Sequence, residues 1–456
     1  LVHVETEPKG NEMKISESAV EMCRLNVVGM QIKALTPFES NPRTHTKKQV
    51  RQIAASLKQF GWTNPVLIDE AGMILAGHGR IEAAKLLGLA EVPTIRLDKM
   101  SEVEKRAYII ADNKLAENAG WDDELLAQEF QFLSESALNF DLGLTGFEMG
   151  EIDVLLSDSG VSEEEPVEIP DPDGRAVSQT GDLWMIGKHK ILCGNALAAA
   201  DWKVLLEGRK AGMVFTDPPY NVPVDGHVSG LGKVKHREFA MASGEMSRSA
   251  FTAFLSEVFE RQVEFSIDGS VHFVCMDWRH MTEILAAGEG VYTELKNLCV
   301  WAKTNAGMGS FYRSQHELVF AFKSGKGAHV NNFGLGENGR HRSNLWTYAG
   351  ANTFRAGRMD DLAAHPTVKP VQMVMDAILD CSKRGGLVVD VFAGSGTTLL
   401  AAARTGRVGA GMEIDPLYVD LIVRRLEKET GEIGLNGDTF ESFAETAARR
   451  NEEVGS

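Results

Sequence analysis

The stretch Gly386–Thr398, GLVVDVFAGSGTT, decides how this chain folds. Leu387, Val388, Val389 and Val391 make a short apolar run that predicts a buried strand, and Ala393-Gly394-Ser395-Gly396 breaks it before the helical run LLAAARTG. A glycine turn between strand and helix lets the backbone approach a ligand closely, with the free N–H groups of the helix start facing it. The following segment, GRVGAGMEID, reads as a second strand ending at Glu413. That is about 20 residues on, where a nucleotide-binding α/β fold carries its ribose-binding acid. Plain strand–helix packing also accommodates two glycines, so the decision passes to a stretch far upstream. There AGMVFTDPPY reads as an apolar strand ending in Asp217-Pro218-Pro219-Tyr220. The tetrapeptide supplies a carboxylate, a proline-stiffened backbone and an aromatic ring, the parts needed to hold a planar aminated ring by its N–H groups and its face. A bare Asp-Pro turn is the alternative.

At 456 residues the chain is too long for one compact core and divides into two or three domains. Its 47 basic against 64 acidic residues, formally −17, argue against nonspecific coating of nucleic acid while leaving room for a local basic groove. No apolar run reaches bilayer length, and the start, with Glu5, Glu7 and Glu12, has neither the basic nor the apolar part of a secretory signal. A cytoplasmic protein with no membrane partner is expected. Cys23, Cys193, Cys275, Cys299 and Cys381 have no spacing suited to zinc or a disulfide framework, which predicts reduced, buried thiols and no metal.

Residues 28–98 alternate strand and helix patterns around Gly77-His78-Gly79-Arg80, two glycines and an arginine between a strand and a helix start. Such a turn suits an anion, phosphate above all, although from these residues alone a tight turn with a surface arginine is the preferred reading. Residues 99–156 form a helical annex in which Trp121, Leu125, Leu126, Phe130 and Leu133 recur at helical spacing as core. Residues 157–180, acidic with three prolines, have linker composition. A second domain spans 181–430, and 431–456 reads as an acidic, frayed tail.

Two resemblances organise these pieces. Asn41-Pro42-Arg43 followed by GHGRIEAAKLLG resembles the ParB/sulfiredoxin-like domain, which implies a nucleotide or DNA-phosphate contact by Arg43, Gly77, His78, Gly79 and Arg80. His78-Gly79 stands where partition proteins carry two larger polar residues, and no helix-turn-helix is legible after it; both departures weigh against a partition or nuclease role. The second half is similar to the S-adenosylmethionine-dependent DNA amino-methyltransferases. Asp217–Tyr220 precedes Phe392-Ala393-Gly394-Ser395-Gly396, the order of the permuted β group, and CVWAK (299–303), YRSQHELVFAFK (312–323) and HPTVKP (365–370) follow that group's order. Together these imply an α/β fold: an N-terminal ParB-like α+β domain with its helical annex, then a Rossmann-like seven-stranded methyltransferase domain with permuted motif order.

The resemblance also implies roles. Asp217, Pro218, Pro219 and Tyr220 are catalytic; Phe392, Ala393, Gly394, Ser395, Gly396 and Thr397 hold S-adenosylmethionine. Glu413 and Asp415 follow on the ribose side, Thr367 and Lys369 at the methionine end, and Asn195, where aspartate is usual, at the cofactor's adenine. Val391 stands where proline is common. The partner is double-stranded DNA with its target base flipped out, and relatives of this group point to a homodimer. Residues 323–360 are the expected target-recognition region. Lys323, Lys326, Arg340, Arg342, Arg355 and Arg358 there stand against one acid, Glu337, before the aspartates at 360 and 361, among asparagines and the aromatics Phe333, Trp346, Tyr348 and Phe354. A second loop, Val222–Ser247, carries Lys233, Lys235, His236 and Arg237 and is expected to close over DNA.

Three functions are weighed. Adenine N6 methylation, in a restriction-modification setting, is favoured by the leading aspartate of the tetrapeptide. Cytosine N4 methylation more often has serine there. A ParB-like nucleotide-gated DNA-binding regulator with a degenerate methylase half fits poorly with intact 217–220 and 392–398 stretches.

Overall fold

The computed structural model describes residues 26–136, 141–157, 167, 170–171, 174–221, 244–304, 311–334, 340–349 and 368–455. It separates into two compact units, Leu1–Phe147 and Glu148–Ser456.

In the first unit β1 (Val27–Gln31), β2 (Val66–Ile68), β3 (Ile74–Ala76) and β4 (Glu91–Arg96) form one sheet in the order β1-β4-β2-β3. Asp69 sets the β2–β3 turn by accepting the N–H groups of Ala71 and Met73 at 2.9 and 2.8 Å. Val66, Ile68, Ile74, Ile81, Ala84 and Val92 close the core beneath the helix His78–Leu86. The helix Glu102–Glu117 opens with a capping box between Ser101 and Glu104, and its Lys105 reaches back to Asp69 at 2.9 Å, fastening the annex to the turn. Of the annex residues expected in the core, Phe130 is buried against the edge of Phe147, whereas Trp121 and Leu125 are 71 % and 59 % exposed. The helix Asp123–Glu135 has a single packing face; Leu125 lies about 140° round it from Phe130.

The second unit is built on ten strands: β5 (Leu183–Ile186), β6 (His189–Cys193), β7 (Ala211–Thr216), β8 (Ser266–Met276), β9 (Glu294–Lys303), β10 (His316–Lys323), β11 (Leu345–Tyr348), β12 (Leu387–Asp390), β13 (Val408–Glu413) and β14 (Gly434–Asn436). Their order is β11-β9-β10-β8-β7-β12-β13-β6-β5-β14. The run from β9 to β6 supplies the seven strands expected; β11, β5 and β14 extend it. The sheet centre β8-β7-β12-β13-β6 is parallel, and its two middle strands β7 and β12 are accordingly buried along nearly their whole length rather than alternating. Helices Ala199–Leu206, Arg248–Glu264 and Met281–Val291 cover one face, and Val371–Cys381 and Thr397–Arg404 the other. From β7 the sheet grows one way through β8 and the other way through β12 and β13. That makes the carboxyl ends of β7 and β12 a topological switch point, where open α/β sheets bind their ligands.

Three expected boundaries move. The helix Met149–Ser157, assigned above to the annex, belongs to the second unit, where its Asp153 receives both guanidinium nitrogens of the fully buried Arg407 at 2.8 and 2.7 Å. A guanidinium buried to this degree needs a carboxylate partner, and Asp153 is that partner. The tail 431–456 is part of the fold: β14 pairs with β5, Phe443 packs edge-on against the buried Trp184, and Arg450 pairs with Asp182. Within the described part of 323–360, β11 forms the edge of the sheet, paired in parallel to β9, and Trp346 is buried.

Candidate active site

β7 and β12 run side by side with Val388 level with Met213 and Val389 with Val214, so Asp217 and Phe392 emerge at the same height from adjacent strands. A buried aspartate that the sequence reading had passed over locks this pairing. Asp390 accepts the Thr216 hydroxyl at 2.9 Å and the Phe392 N–H at 3.1 Å through Oδ1, and the Thr398 hydroxyl at 2.6 Å through Oδ2. Burial lifts its carboxyl to about 6 against those three hydrogen bonds. The end of the tetrapeptide strand, the glycine turn and the next helix thus share one carboxylate. Its only sequence signal is an acid closing an apolar strand.

Gly394 and Gly396 both sit at positive φ, 49° and 82°, and a Cβ at Gly396 would come within 2.9 Å of Ile422. The turn therefore needs glycine at both places. Glu413, at the end of the neighbouring β13, accepts the Gly394 N–H at 2.9 Å and the Ile414 and Asp415 N–H groups at 2.9 and 3.0 Å. Burial outweighs these bonds and raises its carboxyl to about 7. Asn195, two residues past β6, stands beyond the level of Glu413, since Cys193 pairs with Glu413; its Oδ1 accepts the Leu197 N–H at 3.0 Å. Asp415 caps the helix Pro416–Thr430 through the Leu417 N–H at 3.0 Å, and Ser395 and Thr397 share a hydroxyl contact at 3.3 Å.

Opposite the turn lies a cluster of charges. Asp217 Oδ1 accepts the Tyr220 hydroxyl at 2.6 Å, and Oδ2 accepts the ammonium of Lys369. That ammonium is 3.2 Å from Glu317 Oε2 and 5.6 Å from the centre of the Tyr220 ring. Glu317 also takes Lys303 on Oε1 at 2.5 Å. Burial and the Glu317 charge push the Asp217 carboxyl up, while Lys369 opposes them. Lys369, expected at the methionine end of a cofactor, gives its ammonium to Asp217 and Glu317, two half-buried carboxylates that repel each other without a cation between them. Thr367 lies outside the described residues. Glu317 and Lys303 were quoted only as parts of longer motifs; their signal is an acid and a base at facing ends of adjacent antiparallel strands.

The basic block comes apart. Arg340 and Arg342 bind Asp380 at 2.9 and 2.8 Å and are 10 % and 18 % exposed, so their charge is spent on the helix Val371–Cys381 and is not offered to phosphate. Lys323 ends the strand whose other end carries Glu317, roughly 20 Å away at strand rise, and Lys326 follows it. Lys323 therefore sits towards the end of the strands away from Asp217. Tyr348 donates to Asp376 at 2.5 Å and Asn332 to the Leu379 and Ser382 carbonyls at 2.7 Å, so both side chains are engaged on the helix Val371–Cys381 and the residue after it. Arg355, Arg358 and Phe354, and residues 222–243 of the second loop, lie outside the described residues.

In the first unit Gly77, at φ 102°, caps the helix His78–Leu86. His78 Nε2 accepts the Phe38 N–H at 3.3 Å, and burial lowers its basicity. Arg80 turns back to the Pro65 carbonyl at 3.4 Å, its buried Nε without a hydrogen-bond partner, and Arg43 pairs with Glu117.

A family model described as "DNA methylase", for the N6 and N4 enzymes, matches residues 211–424, a stretch that holds both the tetrapeptide and the glycine turn. The "ParB N-terminal domain" model matches 16–114. The chain carries a DNA methylase domain of the N6/N4 family over 211–424 and a ParB N-terminal domain over 16–114. A third model, "ParB-methyltransferase HTH domain", matches 124–180, where no helix-turn-helix had been legible. The described part of that segment holds the helices Asp123–Glu135 and Met149–Ser157, which fall in different units. Among relatives, the "ParB-like nuclease domain-containing protein YnaK" of Escherichia coli (strain K12) is 48 % identical over 83 residues, 18 % of this methylase and 95 % of that protein. "Type II methyltransferase M2.DpnII" of Streptococcus pneumoniae is 28 % identical over 233 residues, 48 % of this chain and 82 % of that one. The structure of the PvuII DNA methyltransferase (cytosine-N4-specific) aligns at 15 % identity and a TM-score of 0.40, over 62 % of this chain and 96 % of that one. No helix among the described residues is long and apolar enough to cross a membrane, and no group of potential metal ligands occurs among them.

Proposed function

We propose that this DNA methylase transfers a methyl group from S-adenosylmethionine to the exocyclic N6 amine of an adenine flipped out of duplex DNA. One observation carries the reading: Asp217 and Phe392 leave adjacent parallel strands at one level, at the switch point of the sheet. The glycine turn fits the cofactor. A Cβ at Gly394 would meet nothing nearer than the Phe392 carbonyl at 3.9 Å, so the space above the turn is open, and Glu413 stands beside it with a carboxylate for the ribose hydroxyls. When bound, the cofactor supplies a sulfonium methyl.

The residues of this chain do the rest by positioning and electrostatics. The amine of adenine is a weak nucleophile because its lone pair is delocalised into the ring. Asp217 and the Pro218 carbonyl, accepting its two hydrogens, favour a pyramidal nitrogen and direct the lone pair at the methyl group. Tyr220 stacks on the base, which offsets part of the few kcal/mol that flipping costs. The amine proton leaves after transfer, so Asp217 does not need to remove it in advance. The leading aspartate favours adenine over cytosine. We assign the Gly77–Arg80 turn to a nucleotide or backbone phosphate, and we read the protein as a cytoplasmic homodimer acting in DNA modification.

The test is to incubate plasmid with labelled S-adenosylmethionine and identify the product base. N6-methyladenine in a fixed sequence context is expected; N4-methylcytosine would replace the adenine reading, and an unlabelled plasmid would end both.

A further inference from the structure

Both Asp217 oxygens are taken by donors of the chain itself, Tyr220 on Oδ1 and Lys369 on Oδ2. Each oxygen keeps a second acceptor site, so an incoming amine competes with these donors for direction and charge, and Tyr220 is the donor that yields, since its ring has to turn its face to the base. A hydroxyl drawn out of water and deprived of its acceptor is left with its desolvation cost uncompensated. A second acceptor already waits: Glu317 Oε2 is 3.3 Å from the Tyr220 oxygen and 3.2 Å from the Lys369 nitrogen.

Resting on the function proposed above, we infer that Glu317 is a positioning residue of the transfer, receiving the Tyr220 hydroxyl and holding Lys369 when Asp217 turns to the target amine. Its geometry suits an exchange of partners. Lys303 holds Oε1 at 2.5 Å and anchors the carboxylate at the end of β9, while Oε2 points at the two groups that change hands. Burial alone would raise its carboxyl, but Lys369 and Lys303 outweigh it and bring it to about 2, so Glu317 stays an ionised acceptor at every working pH. Two ammonium and two carboxylate groups also balance, so the exchange moves a hydroxyl without uncovering a charge.

The test is a double-mutant cycle of Glu317→Gln and Tyr220→Phe, read as kcat on DNA. Glu317→Gln alone should lower kcat about 10- to 100-fold, with cofactor affinity within about 3-fold of wild type. In the Tyr220→Phe background, where no hydroxyl needs receiving, the same substitution should cost less than a third as much. Because the Glu317 charge helps hold the Asp217 carboxyl up, its removal should also move the acid limb of the kcat profile to lower pH. If Glu317→Gln fails to fold, Lys303→Met with Glu317→Gln removes the pair together, keeps the charge balance and enters the same cycle. Equal penalties in both backgrounds, with the acid limb unmoved and the wild type active, would overturn this inference alone; a wild type that methylates no DNA amine would overturn it together with the function.

Discussion

The Thr216 hydroxyl donates to the Asp390 carboxylate at 2.9 Å, joining residues 174 positions apart at the ends of neighbouring strands. The same carboxylate holds Phe392 and Thr398, so the spacing between the amine-gripping strand and the cofactor turn hangs on one buried side chain. Asp390→Ala should leave two hydroxyls and an N–H without their acceptor. The expected loss is about 3 kcal/mol of stability, read by urea unfolding, with a larger fall in methyl transfer than in DNA binding.

Glu413 gives a pH dependence with a definite sign. Its carboxyl is raised to about 7 in the free protein, and ribose hydroxyls are best accepted by the ionised form. Cofactor binding should therefore tighten as pH rises through 7 and weaken below it. Titration calorimetry between about pH 5.5 and 8.5 should trace this limb, tenfold per pH unit at its acid end. Glu413→Gln should flatten it; an unchanged slope would place the titrating group elsewhere.

Lys369 separates two readings of one residue. Were it a clamp for the methionine end, Lys369→Met would weaken cofactor binding in proportion to the loss of rate. With its ammonium on Asp217 and Glu317, the substitution should lower kcat by a factor of 100 or more while cofactor affinity changes less than about 3-fold. Asp217→Ala should abolish transfer and leave DNA binding largely intact.

The second unit also depends on a charge pair remote from the site. Arg407 is fully buried and Asp153 1 % exposed, so Asp153→Ala leaves a guanidinium without its counter-ion, at a cost of about 3–5 kcal/mol. A lower urea midpoint with unchanged cofactor affinity in the remaining folded protein is expected.

What the sequence made legible were features written in contiguous residues. The apolar strands β7 and β12, the glycine turn and the tetrapeptide all announce themselves by local pattern, and their meeting follows from the topology of a parallel sheet. What it concealed were pairings across the chain. Nothing near Lys369 says that its ammonium belongs to Asp217, and nothing near Arg342 names Asp380 as its partner. A basic residue in a sequence is only a candidate for phosphate until its distance to the nearest buried carboxylate is known. The tail was misread for a related reason: Phe443 and Arg450 are isolated among acids, yet each finds a partner on β5 or beside it, Trp184 and Asp182.

The basic block offers a test in which electrostatics and stability part company. Arg342 binds Asp380 and stacks its guanidinium 5.5 Å over the Trp346 ring. A residue that neutralises a DNA phosphate releases a counter-ion, so its removal should flatten the plot of log affinity against log salt by about 0.9. Arg342→Met removes no such contact here. The salt slope for DNA binding should be the same as wild type, while unfolding becomes easier by about 3 kcal/mol because Asp380 loses half its compensation. A reduced slope with unchanged stability would return Arg342 to the DNA interface and would mean that its pairing with Asp380 is broken on the bound enzyme.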